Sequence, residues 1–126
     1  MLSNIGLTKA YKAGAQISPY TIVKWDAVDF QVLPAAAATD KSIGVTPNAG
    51  TVPAGQRVDV IVAGMVEVIA GGTITRGDPI TSNATGQGVT AAPAGGANNR
   101  IIGFAECSAV AGDIFPVFLY PSVMQG

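Results

Sequence analysis

The chain has 126 residues and a mass of 12.7 kDa, which suits one domain, with or without arms. Only 12% of residues are charged and the formal net charge is −1; the few basic residues are scattered, with no stripe to neutralise phosphates, which argues against nucleic-acid binding. No apolar run reaches the ~18 residues that a membrane-spanning helix needs.

Mean hydropathy is nevertheless +0.40, high for a soluble monomer. Either an Ala- and Val-rich β-core or burial against copies of itself or a larger partner would explain it. The start, MLSNIGLTKAYK, has no basic segment followed by an apolar one, so no signal peptide is expected.

Residues 1–20 hold few apolar side chains and read as an N-terminal arm, leaving 21–126 as a single β-domain. Ile5, Leu7, Tyr11 and Ile17 are spaced to dock into a groove, and these are the expected contact residues of the arm. Ordering such an arm costs about 1–2 kcal/mol of backbone entropy per residue, so it should settle only where a surface rewards it.

From Thr21 to Leu33 the apolar residues alternate in two short stretches, as strands with one buried face do. Pro34 and Asp40 bound Ala35–Ala38 tightly, leaving room for one helical turn or a loop. Ser42–Thr46 is a short strand with Gly44 at its centre, followed by turns at 47–50 and 53–56.

Arg57–Ala63 and Met65–Ala70 alternate again, with Gly64 marking a break, a bend or a tight hairpin. Turns recur at Gly71-Gly72, at Gly77-Asp78-Pro79 and at residues 83–86. Residues 91–99, AAPAGGANN, have the composition of a mobile surface loop. Strands resume over 100–107 and 114–120. Pro116 should face an edge or sit at a bulge, and Pro121 should stop the last strand.

One echo runs through the chain. Ser42-Ile43-Gly44-Val45 precedes Ala54-Gly55 and then Val58 and Val60; Ile101-Ile102-Gly103-Phe104 precedes Ala111-Gly112 and then Phe115 and Val117. Glycine inside a strand lets another backbone approach or the strand bend. The echo fits a small barrel with pseudo-symmetric halves, or a chance likeness of Gly- and Ala-rich segments. The expectation is therefore an all-β fold: a small barrel or sandwich-like body of short antiparallel strands behind an extended N-terminal arm.

Chemistry-bearing constellations are sparse. The chain has no histidine, which removes the base of a Ser or Cys triad and the commonest metal ligand. Cys107 is the single cysteine and reads as a small buried hydrophobe. Asp78 and Asp113 each follow a glycine, Gly77 and Gly112, and read as turn-fixing residues, as does Gly55. The Arg76-Gly77-Asp78 tripeptide is explained by the same turn. No catalytic residue, metal or cofactor is expected.

The order of these segments resembles a family. ISPYTIVK (17–24), ATDKSIGV (38–45), VDV (58–60), GMVEV (64–68), RGDPI (76–80), IGFA (102–105) and AGDI (111–114) together look like the small capsid decoration, or cement, proteins of tailed bacteriophages. That resemblance implies a virion structural protein on the outer surface of the expanded phage head, between capsomers. Its partner would be the major capsid protein, and it would assemble as a homotrimer, without nucleic-acid or membrane partners and without an active site. The rival readings are a phage tail or fibre component, a small sugar- or ligand-binding β-module and an enzyme fragment.

Overall fold

A computed structural model describes residues 5–126, with the Ile5 side chain left aside. Nine strands and no helix make up these residues: β1 (Ile5–Ala13), β2 (Ile22–Trp25), β3 (Gln31–Pro34), β4 (Ser42–Val45), β5 (Arg57–Ile69), β6 (Pro79–Ser82), β7 (Gly88–Thr90), β8 (Asn98–Ala105) and β9 (Ile114–Gln125). The all-β expectation holds. The order across the sheet is β1-β3-β2-β4-β5-β9-β8-β6-β7, and an additional β1–β5 pairing closes the first five strands into a barrel.

The strand β5 organises the molecule. Its first half pairs with β1, through Tyr11↔Val58 and Lys9↔Val60. Its second half pairs with β9, through Val66↔Val117 and Val68↔Phe115. Gly64 lies between the two halves with φ +94°, a conformation that glycine adopts without a Cβ clash. Of the three options the sequence left open, the chain takes the bend, and the strand continues through it for 13 residues.

The two halves repeat each other pair by pair. Tyr11↔Val58 in the first recurs as Val68↔Phe115 in the second. Val23↔Gly44 recurs as Ile80↔Gly103. The isolated bridge Ile17↔Val52 recurs as Ile74↔Ala109. Ala13 exchanges bonds with the Gly55-Gln56 turn at 2.7 and 2.8 Å, and Ala70 exchanges them with Gly112-Asp113 at 2.8 and 2.7 Å. The second unit (β5, β9, β8, β6, β7) comes round on itself through the parallel bridge Ala70↔Gly88, the counterpart of Ala13↔Val32. The echo read from the sequence is thus a tandem of two units that share β5.

Each unit has its own core. Tyr11, Ala13, Ile17, Val23, Val32, Val58 and Val60 fill the first. Val66, Val68, Ile74, Ile80, Ile102, Phe115 and Val117 fill the second, and Ile22, Val45 and Ile61 from the outside of the first unit pack into the same cluster. The first unit therefore presents an apolar outer face that the second unit covers.

The expected arm is corrected here. From Ile5 onward the chain is strand, hydrogen-bonded to β5 and, at Lys12 and Ala13, parallel to β3. Residues 1–4 of the arm lie outside the described residues. The low count of apolar residues in 1–20 misled because β1 closes a barrel and needs only one inward face. Tyr11 and Ala13 supply it, and Ile17, beyond the end of the strand, joins the same core.

Two further expectations change. Pro121 does not stop β9. The register slips between Ile101↔Ser122 and Gly103↔Leu119, which leaves Tyr120 and Pro121 facing one residue, and a bulge is where a strand tolerates a proline. Asn98 and Asn99 belong to β8 rather than to the loop, paired with Gln125 and Met124 of the prolonged β9. Over Ala35–Ala38 the chain takes the loop rather than the helical turn, both of which the sequence allowed, and the Ala36 N–H donates to the Asp40 carboxylate at 2.8 Å.

Candidate interaction surface

The residues singled out in the sequence fall into three groups. Gly55, Gly77 and Gly112 have φ between +85° and +91°, so they are turn glycines in the left-handed region. Asp78 accepts bonds from the Thr75 N–H at 2.9 Å and the Thr90 hydroxyl at 2.8 Å, and Asp113 accepts one from the Val110 N–H at 3.1 Å. Both carboxylates hold turns together.

Gly44 and Gly103 form the second group. They are strand glycines with ordinary φ, and their role is close approach. A β-carbon on Gly44 would collide with the Ile61 carbonyl oxygen and lie 2.9 Å from Val60 Cγ1; one on Gly103 would collide with the Phe118 carbonyl oxygen and lie 3.0 Å from Leu119 Cα. The two positions are equivalent in the two units, and each lets β4 or β8 cross its neighbour tightly.

The third group is the expected contact set, which the fold splits. Leu7 is half exposed on β1. Tyr11 and Ile17 are buried in the first core, with Tyr11 edge-on to Trp25 at 5.5 Å, so neither is available to a partner. Ile5 pairs with Gly64 in the backbone.

The exposed apolar surface lies elsewhere. On β9, Phe115, Val117 and Leu119 point inward, and Ile114, Phe118 and Tyr120 point outward. Phe118 is 50% exposed and lies directly opposite both Met65 on β5 and Phe104 on β8. Phe104 lies opposite Pro79 on β6 and meets Tyr120 edge-to-face at 6.2 Å. These side chains make an apolar row across the second unit, continued by a shallow groove along Ile101, Val123 and Met124.

A second apolar surface is the tip of the β2–β3 hairpin. Trp25, Val28 and Phe30 are exposed there, Phe30 by 76%. Phe30 has φ +62°, which is costly for a bulky side chain. The tip is held by Asp26, which accepts bonds from the Ala27 N–H at 2.6 Å and Gln31 Nε2 at 2.7 Å.

The periodicity that marks a half-buried strand could have pointed to Phe104, Phe118 and Tyr120. It cannot say which half is left uncovered, because that depends on where the first unit packs.

Charge lies at the margins of both surfaces, with Asp26 and Asp29 at the hairpin tip and Arg100 beside the groove. The pair Lys24–Asp40, 3.2 Å apart, lies between β2 and the turn before β4. Burial alone would raise the Asp40 carboxyl, but the Ala36 N–H and Lys24 outweigh it and hold the group below the usual carboxylate range. Among the described residues no group of three or more His, Cys, Asp or Glu is placed to hold a metal ion. Cys107 is half-buried against the second core.

No family model matches this chain, and no curated protein matches it in sequence. Its fold is similar to a solved structure, the head fibre gp8.5 N base in bacteriophage phi29, with a TM-score of 0.71 and 20% identity over 95% of this chain and 98% of that one.

Proposed function

We propose that this chain is a structural component of a phage head, carried on the outside of the expanded shell and binding the major capsid protein there. One observation carries the reading: the likeness to a head fibre base runs through nearly the whole of both chains, so it covers the tandem of two units and not a common sub-motif. The build of the molecule supports it. A closed five-strand barrel and a second unit that shares β5 with it give a stiff body, and the outward faces are apolar with little charge to desolvate, which suits a surface that docks. The reading assigns the chain no catalytic step and no cofactor.

Within this reading the chain decorates and cements the head, bridging capsomers as a homotrimer. A second reading, the base of a head fibre, is favoured by the name of the similar structure. Purified protein mixed with expanded heads and with unexpanded proheads of the phage that carries it tests both. Co-sedimentation with expanded heads supports head attachment, and no binding to either overturns it. Cementing further requires that bound protein raise the temperature at which the heads release DNA; attachment without that rise favours the fibre base.

A further inference from the structure

The two units are copies of one pattern, and in one place the copies are used differently. On the outside of the first unit, Ile22, Val45 and Ile61 face each other across β2, β4 and β5. All three are buried, because the second unit covers them. The same positions in the second unit are Pro79, Phe104 and Phe118, which face each other across β6, β8 and β9 in the same order. Phe104 and Phe118 are exposed. The face that receives a neighbouring unit inside the chain is thus repeated, with phenylalanines in place of Val45 and Ile61, and among the described residues no further unit covers it.

The covering element is repeated as well. The tip of the β6–β7 hairpin seats on the first unit. Gly86 there has φ +74°, its carbonyl accepts the Ile22 N–H at 2.9 Å, and a β-carbon on it would stand 2.6 Å from Thr21 Cγ2. Its counterpart is Phe30. Each residue lies two before the last-paired residue of its hairpin, Gly88 opposite Ser82 and Val32 opposite Trp25, and each has positive φ. Inside the chain, a glycine tip meets the aliphatic Ile22 face. A phenylalanine tip and a phenylalanine-lined face, both exposed among the described residues, stand on the same chain.

We propose that the Phe30 tip of one copy docks on the Pro79–Phe104–Phe118 face of a second copy, repeating between chains the packing of the second unit on the first. Pro79 has no N–H to give the tip, unlike Ile22, so the contact is apolar, and the Phe30 ring fills the space that a close backbone approach takes up at Gly86. Exposed Asp29 beside the tip and exposed Arg100 beside the groove have opposite signs and favour this register. Tip and face are different patches, so the interface is heterologous and each copy can give one and receive one. Such contacts close into a ring or extend as a chain. The inference concerns the isolated protein and stands apart from head attachment.

Sedimentation equilibrium of the full chain and of Phe30→Gly, Phe104→Ser and Phe118→Ser variants tests it, with far-ultraviolet circular dichroism confirming that each is folded. The parent should self-associate at about 100 µM. Each folded variant should dissociate with a constant raised roughly tenfold or more. Phe30→Gly mixed with Phe104→Ser or with Phe118→Ser should form a one-to-one pair and nothing larger, since one keeps the face and the other keeps the tip. A parent that stays monomeric at that concentration, a folded Phe30→Gly that associates like the parent, or mixed variants that stay monomeric overturns the proposal. The last result would mark an interface made of one patch meeting itself.

Discussion

Gly44 and Gly103 show how much a single missing side chain can fix. Both sit where the carbonyl of a neighbouring strand occupies the space of a β-carbon. Gly44→Val and Gly103→Val should each destabilise by about 3 kcal/mol, since overpacking here must displace backbone and not a flexible side chain. Gly72→Ala is the control: nothing lies within 4 Å of that position, and it should melt within about 0.5 kcal/mol of the parent. Urea unfolding of the three variants measures the difference. Phe30 makes the opposite case. Left-handed backbone costs a side-chain-bearing residue about 1–2 kcal/mol, and glycine returns up to about 1 kcal/mol of that as unfolded-state entropy. Phe30→Gly should therefore melt no lower than the parent, which a thermal scan checks. Asp40 supplies a pH signature. Its carboxyl is held below the ordinary range, so its contribution is present at neutral pH and is lost as pH falls through that lowered value. Asp40→Asn should melt below the parent at pH 7, and the gap should begin to narrow below about pH 4 and close as pH falls through the lowered folded-state value.

At the scale of elements, β1 decides whether the first unit exists. It supplies Tyr11 and Ala13 to the core and provides the β1–β5 pairing that closes the barrel. Deleting residues 1–16 should abolish the cooperative melt of the protein as followed by circular dichroism. A truncated chain that melts like the parent would mean that β1 is dispensable. The strands β2 to β6 were legible because alternation and turn chemistry agree there: Val23 and Val32 are inward, and Gly55 and Gly77 turn. β1 was not legible, because exposed Lys9 and Lys12 gave it the composition of an arm. The continuation of β9 past Pro121 was hidden as well, since a proline reads as a stop unless a bulge opposite Ile102 is already known.

For the whole molecule, sharing a strand and a core has a thermodynamic consequence. β5 belongs to both units, and Ile22, Val45 and Ile61 of the first lie in the core of the second. Neither unit can unfold without exposing apolar surface of the other, so melting should be a single two-state transition. Trp25 fluorescence, which reports on the first unit, and far-ultraviolet circular dichroism, which reports on both, should give coincident curves. Two separated transitions would show that the units are independent domains. The proposed assembly extends the same packing from within a chain to between chains.

The sequence by itself determined the all-β class, the positions of the turn glycines and the two close-approach glycines, because these depend on local rules: a period of two, positive φ and the absence of a β-carbon. It also carried the internal echo, since Gly44 and Gly103 recur with the same neighbours. Only the tertiary structure decided that the chain's first strand closes a barrel and that β5 serves two units. It alone placed Ile22 and Val45 inside while the matching Pro79 and Phe104 remain less buried or exposed. Each unit's strands are amphipathic in the same way, so sequence pattern gives both an apolar outer row. Which row is covered depends on which unit has a neighbour, and that is a long-range contact that no local pattern encodes.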